Sequence, residues 1–121
     1  MSAFRSLASL ETRPIWSGIV ARTVEGREMT FAVVELAPGA QAAMHQHANE
    51  QIGLVLEGSI AFTVAGETRE LAPGDTYVIP GDTPHEATAG AGGAVVIDVF
   101  SPVRAEWQRL APQPPSPPRW P

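Results

Sequence analysis

The 121-residue chain contains no cysteine and no lysine. Without a thiol there is no thiolate nucleophile, no thiolate metal ligand and no disulfide. Without a lysine amine, Schiff-base chemistry is excluded, and all eight basic residues are arginine. The net charge is −5 and no basic cluster occurs, so the electrostatic footprint of a nucleic-acid or anionic-membrane partner is missing. No segment approaches the ~20 apolar residues of a membrane-spanning helix. The N-terminus, MSAFRSLASLETRPIW, has one early arginine and no apolar run of signal-peptide length. The expectation is a cytoplasmic protein with neither nucleic acid nor membrane as partner.

What is present points to strands. Eleven Gly and twelve Pro accompany a hydrophobic content of 44%, which suits short elements joined by tight turns around a real core. Strand-like runs (IWSGIVART, MTFAVVELA, QIGLVLEG, SIAFTVAG, TRELAPG, DTYVIPG, HEATAG, GAVVIDVF) alternate with breaks such as EGRE, PGAQ, EGS, PGD and GAGG. That rhythm predicts an all-β barrel or sandwich. The length fits one domain: a lead-in over 1–14, a barrel over 15–102, a short helix over 103–111 and a tail over 112–121. Pro102 opens the helix and Pro112 stops it. The tail, PQPPSPPRWP, has six prolines in its ten residues. Such a segment is extended, and lying on the barrel is the expected arrangement, with a proline-rich ligand for another domain as the alternative.

The chain has three histidines, His45, His47 and His85. On an extended backbone residues i and i+2 share a face, so His45 and His47 can aim at one point, and a barrel can bring His85 to it from another strand. An isolated HxH pair is as often a polar surface pair as a metal site. The flanking spacing shifts the balance. Gly39 stands six residues before His45, Gln51 four after His47 and Gly58 seven after Gln51; Gly74 precedes Pro80 by six and Pro80 precedes His85 by five. These residues resemble the two motifs of the cupin family over roughly residues 30–100. The resemblance implies a double-stranded β-helix, the cupin jelly-roll barrel. It also implies one divalent metal ion on His45, His47, Gln51 and His85, and a homodimer. Asp82 and Ala89 stand where the family often has Gly and Asn.

Cupins usually carry Glu at the fourth ligand position, where this chain has Gln51 preceded by Glu50. Neighbouring strand residues face opposite ways, so one of the two reaches the metal. The motif spacing selects Gln51; a Glu50 that bends inward is the alternative. Three imidazoles and an amide leave the metal's full +2 charge in place, a stronger Lewis acid attractive to anionic substrates. Imidazole ligation admits Zn, Ni, Fe, Mn or Cu. The opposite face, Ile52, Leu54 and Leu56, is apolar; core packing is expected for it, with a dimer interface as the alternative.

The closing run AVVIDVFSPVR puts Asp98 on the face shared by Phe100, Val96 and Ala94. A buried carboxylate needs a partner. Either Asp98 braces Arg104, or it transfers protons beside a metal with a pKa set by burial and neighbouring charge. EQIGLVLEGS, GDTYVIPGDTPH and DVFSPVR are similar to the small cupins of pectin degradation, which open the ring of 4,5-unsaturated uronates from pectin and alginate to the linear keto form. That resemblance implies a small anionic sugar acid as substrate and an isomerase-type, metal-dependent enzyme with Asp98, Phe100 and Arg104 as its catalytic residues. In that reading Asp98 shuttles a proton, Arg104 grips a carboxylate and Phe100 walls the pocket. A dioxygenase using a redox metal and a non-catalytic metal-containing sensor are the alternatives from other classes.

Overall fold

The computed structural model describes residues 2–121. A short 3-10 turn at Leu7–Ser9 leads into eight strands: β1 (Thr12–Trp16), β2 (Ile19–Glu25), β3 (Thr30–Leu36), β4 (Gln41–His45), β5 (Glu50–Val64), β6 (Glu67–Leu71), β7 (Thr76–Ile79) and β8 (His85–Ser101). One helical turn, α1 (Ala105–Gln108), follows. The expected all-β class is what forms. The sheet runs β1-β2-β3-β8-β5-β6, with β4 added on β8 and β7 on β5, and every pairing is antiparallel. Among the described residues no helix is long and apolar enough to cross a membrane.

Two long strands organise the barrel. β5 and β8 pair along most of their length, and β8 pairs with β3 through its second half and with β4 through its first. The breaks read at EGS and GAGG are therefore not turns between strands. They are irregularities inside β5 and β8, where the register shifts between Val55 and Glu57 and again between Gly58 and Ile60. Gly58 and Gly93 both take positive φ, 75° and 77°, a region that favours glycine. A side chain on Gly58 would also collide with the carbonyl oxygen of Gly93. Here the two strands bend together, as bulged strands do at barrel corners.

Alternate residues fill the interior. Ile19, Val34, Leu36, Val55, Ile60, Phe62, Ile79, Val96 and Phe100 are buried, and Trp107 of α1 closes over them. The stripe Ile52, Leu54 and Leu56 does not join this core, against expectation. Ile52 is 49% exposed, Leu54 and Leu56 are half-buried, and Gln51, Gly53 and Val55 turn inward instead. Both faces of this segment lack charge, so hydrophobicity could not say which was inner. In register, Phe31, Val99, Ile52 and Val78 form an apolar row across the outer face of β3, β8, β5 and β7.

The strand order begins at Thr12 rather than at residue 15, and the helical segment is shorter than the 103–111 expected. The C-terminal tail lies across the outer face. Gln113 pairs with Thr12. Arg22, 1% exposed, binds Glu35 at 3.2 Å and donates to the backbone oxygens of Ser116 and Pro117. Arg119 donates its backbone NH to Glu35 and its guanidinium to the Leu36 oxygen. A buried charge pair is tolerable only with its remaining donors satisfied, and the tail supplies the missing acceptors.

Candidate metal centre

The sequence-singled histidines converge. β4 ends on His45, His47 follows in the loop to β5, and β8 opens on His85, the direct cross-strand partner of His45. One ligand atom from each lies within 4.8 Å of the others. The loop is held at both sides: Asp82 donates its NH to the His47 oxygen at 2.7 Å, and Asn49 donates its amide to the Pro102 oxygen at 2.6 Å.

Each imidazole is oriented by the backbone. Nδ1 of His45 lies 2.7 Å from the Ala43 oxygen, Nδ1 of His47 lies 3.1 Å from the Asn49 oxygen, and Nδ1 of His85 lies 2.7 Å from the Thr83 oxygen. A carbonyl only accepts, so Nδ1 carries the proton in all three rings and Nε2 offers a lone pair. Among the described residues, Nε2 of His85 is buried with no hydrogen-bond partner. Burial pushes the His85 pKa down to about 4, with help from the neighbouring His45, His47 and Arg104. Burial, then the charge of Arg104, also lowers His47. Neutral imidazoles with converging lone pairs and a buried, orphaned nitrogen fit a divalent cation; without one they leave an uncompensated polar atom.

Gln51 is 6% exposed and faces this point, whereas Glu50 is exposed. Oε1 of Gln51 lies 3.2 Å from Nε2 of His47. Both are acceptors once Nδ1 holds the proton, a contact that a shared cation reconciles. The Gln51 side chain also favours the ionised form of Asp98.

Asp98 and Phe100 also turn inward, at 6% and 1% exposure. The brace between Asp98 and Arg104, one of the two roles the sequence left open, is not formed among the described residues. Tyr77 donates its hydroxyl to Oδ1 of Asp98 at 2.6 Å, while Arg104 bonds Glu106 through Nε and stacks on Phe100 and Trp107, 5.0 and 4.7 Å from the ring centroids. Glu106 lies only two positions after Arg104, so the local acid captures the guanidinium. Burial raises the Asp98 pKa to about 6, against the hydrogen bond from Tyr77, the Gln51 side chain and the charge of Arg104. Burial, then Asp98, holds the Tyr77 hydroxyl well above its usual range, so it remains a donor.

A pocket opens onto these groups, lined by Trp16, His45, His85, Gln51, Asp98 and Arg104 among others. Tyr77, Trp107, Trp16 and Asn49 were not singled out from the sequence. An inward aromatic in TYVIPG was legible, but the pairing that aims it at Asp98 was not. Trp16 comes from β1, outside the motifs, with its ring 5.4 Å from that of His45.

The chain as a whole is similar to known proteins. The cupin domain family profile matches residues 32–100. The pectin degradation protein KdgF of Dickeya dadantii is 35% identical over 81 residues, 66% of this chain and 74% of that protein. The solved structure of KdgF from Halomonas sp. superposes with a TM-score of 0.80 at 32% identity, over 88% of this chain and 98% of that one. An RmlC-like cupin from Shewanella frigidimarina gives a TM-score of 0.81 at 26% identity, over 88% and 96%. With its barrel, its three convergent histidines and a family match over more than half its length, this chain belongs to the cupin family.

Proposed function

We propose that this cupin is a metal-dependent enzyme that opens the ring of 4,5-unsaturated uronates, the sugar acids released in pectin or alginate breakdown, to their linear keto form. Its similarity to two KdgF proteins supports the pathway. The observation that carries the chemistry is the buried Asp98 carboxylate, beside the histidine cluster, with a pKa raised to about 6 by burial. A carboxylate tuned toward neutral pH in a pocket is suited to acid–base work.

The reaction is an isomerisation. Asp98 takes the proton of the anomeric hydroxyl as the bond from that carbon to the ring oxygen breaks, leaving an aldehyde. The ring oxygen keeps the electron pair and becomes the oxygen of an enolate. Asp98 then returns the proton to C4, and a ketone forms at C5. A divalent ion on His45, His47, His85 and Gln51 would polarise the substrate oxygens and offset the charge developing on the ring oxygen. Arg104 faces the pocket from its stack on Phe100 and Trp107, and its terminal nitrogens suit a bidentate grip on the uronate carboxylate. Phe100 packs edge-on to His47 at 5.7 Å and fixes the wall between the ion and the carboxylate grip.

The test is elemental analysis of the purified protein followed by reaction with unsaturated mono-uronates. Loss of their ultraviolet absorbance should run faster than the uncatalysed rate and stop on chelation. No acceleration with any of Ni, Zn, Fe or Mn loaded overturns the reading.

A further inference from the structure

Asp98, Gly53 and Tyr77 form one inward-facing row across β8, β5 and β7: Gly53 pairs with Asp98 on one side and with Tyr77 on the other. Residues two strands apart do not ordinarily touch, because the side chain between them intervenes. Here the intervening residue has none. An added Cβ on Gly53 would overlap the Tyr77 ring at Cζ, Cε2 and the hydroxyl oxygen, so the ring lies over the glycine. Phe62 packs against that ring with centroids 4.4 Å apart and blocks its return. The hydroxyl thereby reaches Oδ1 of Asp98 at 2.6 Å, and both residues are buried.

We infer that Tyr77 is a positioning residue for the reaction, acting through Asp98, and that Gly53 is the position that makes its reach across β5 possible. The role rests on the ring-opening reading above. Asp98 must accept a proton from an oxygen and deliver it to a carbon, two sites in different directions, so the orientation of its carboxyl group sets the rate. A hydroxyl that engages Oδ1 fixes the rotation of the carboxylate and leaves the other oxygen free of the tyrosine. Tyr77 needs no contact with the substrate for this, and a misplacement of about 1 Å at a reacting group costs ~10²-fold in rate.

The experiment compares wild type, Tyr77→Phe, Gly53→Ala and the double variant, metal-loaded, for kcat, KM and bound metal. Tyr77→Phe should lower kcat by ~10²-fold with KM and metal content unchanged, since ground-state binding does not use the hydroxyl. Gly53→Ala should produce a similar loss by displacing the ring. The double variant should be no slower than the slower single, because both act on one contact. Losses that multiply, or a kcat for Tyr77→Phe within about threefold of wild type, overturn the inference. If Gly53→Ala does not fold, Tyr77→Phe decides alone through its kcat. A wild type without turnover fails differently: it overturns the ring-opening reading itself and takes this role with it.

Discussion

His45 and His85 sit directly opposite each other in the β4–β8 ladder, with ring centroids 4.3 Å apart. Opposed strand residues bring their side chains to one side of the sheet, so this pairing alone sets two candidate ligands together. Replacing either by Ala should leave two histidines and release the metal. The check is metal content by elemental analysis, with melting measured with and without a chelator. Wild type should lose several degrees on chelation, because an ion bound only to the folded state stabilises it. His85→Ala should not respond to the chelator. Retained metal in both variants would place the site elsewhere.

Gln51 and Glu50 separate cleanly by orientation. Gln51 points inward beside His47, and Glu50 faces solvent. Gln51→Ala should weaken metal affinity by ~10–100-fold, as loss of a supporting group at such sites does, and Glu50→Ala should change it little. Titration of the metal-free proteins by calorimetry would reveal the reverse order if Glu50 bends in.

Much of the candidate site was legible because it depends on local rules. An HxH pair on an extended backbone, a Gln at fixed spacing and the parity of Asp98 and Phe100 need no tertiary knowledge. What failed was whatever depended on which strands meet. Tyr77 reaches Asp98 only because β5 lies between β7 and β8 with a glycine in the row. Arg104 was offered Asp98 as a partner, but the turn at α1 brings Glu106 nearer. GAGG reads as a break by composition, yet the long β8 runs through it with Gly93 bending the strand.

The tail should matter to stability and not to the site. Removing residues 114–121 takes the Ser116 and Pro117 acceptors from Arg22 and the Arg119 donors from Glu35 and Leu36. Hydrogen bonds involving charged groups contribute ~1.5–3 kcal/mol when buried, and water replaces part of that once the face is open. A fall of roughly 5–10 °C in melting temperature is expected, with metal content unchanged. Unchanged melting would mean that the tail contributes no net stability.

Acid should destabilise the metal-free protein through its histidines. His47 and His85 are both held below 6.5, His85 at about 4, by burial first. As pH falls from 6.5 toward about 4 the unfolded chain takes up protons that the folded one refuses, so stability drops across that window. Asp98 has the opposite sign: its folded value is about 6 against an ordinary 3.8. The folded state gains a proton first between those values, which offsets part of the loss. Asp98→Asn removes the offset and should steepen the decline. Urea midpoints at several pH values in the presence of chelator measure the slopes, and parallel slopes would argue against a raised Asp98.

The same substitution separates chemistry from architecture in the loaded enzyme. Asp98→Asn keeps the size of the side chain and can still accept from Tyr77, but it loses the exchangeable proton. If Asp98 moves the proton, metal content should survive while kcat falls by ~10²–10⁴-fold, the usual worth of a placed acid–base. Wild-type kcat/KM should then decline below a pH at or under about 6, because the first step needs the carboxylate and a nearby cation pulls its pKa down from the metal-free value. Arg104→Lys tests the other end of the pocket. It keeps the charge but loses the planar fork that stacks on Phe100 and Trp107. A grip on the substrate carboxylate predicts a raised KM with a smaller change in kcat, the opposite split from Asp98→Asn. Turnover, melting temperature and bound metal should be read on the same preparations. Full activity in Asp98→Asn with metal retained would remove Asp98 from the proton path. A KM unchanged in Arg104→Lys would mean that the carboxylate binds elsewhere, leaving Arg104 as the cation stacked over the two aromatic rings.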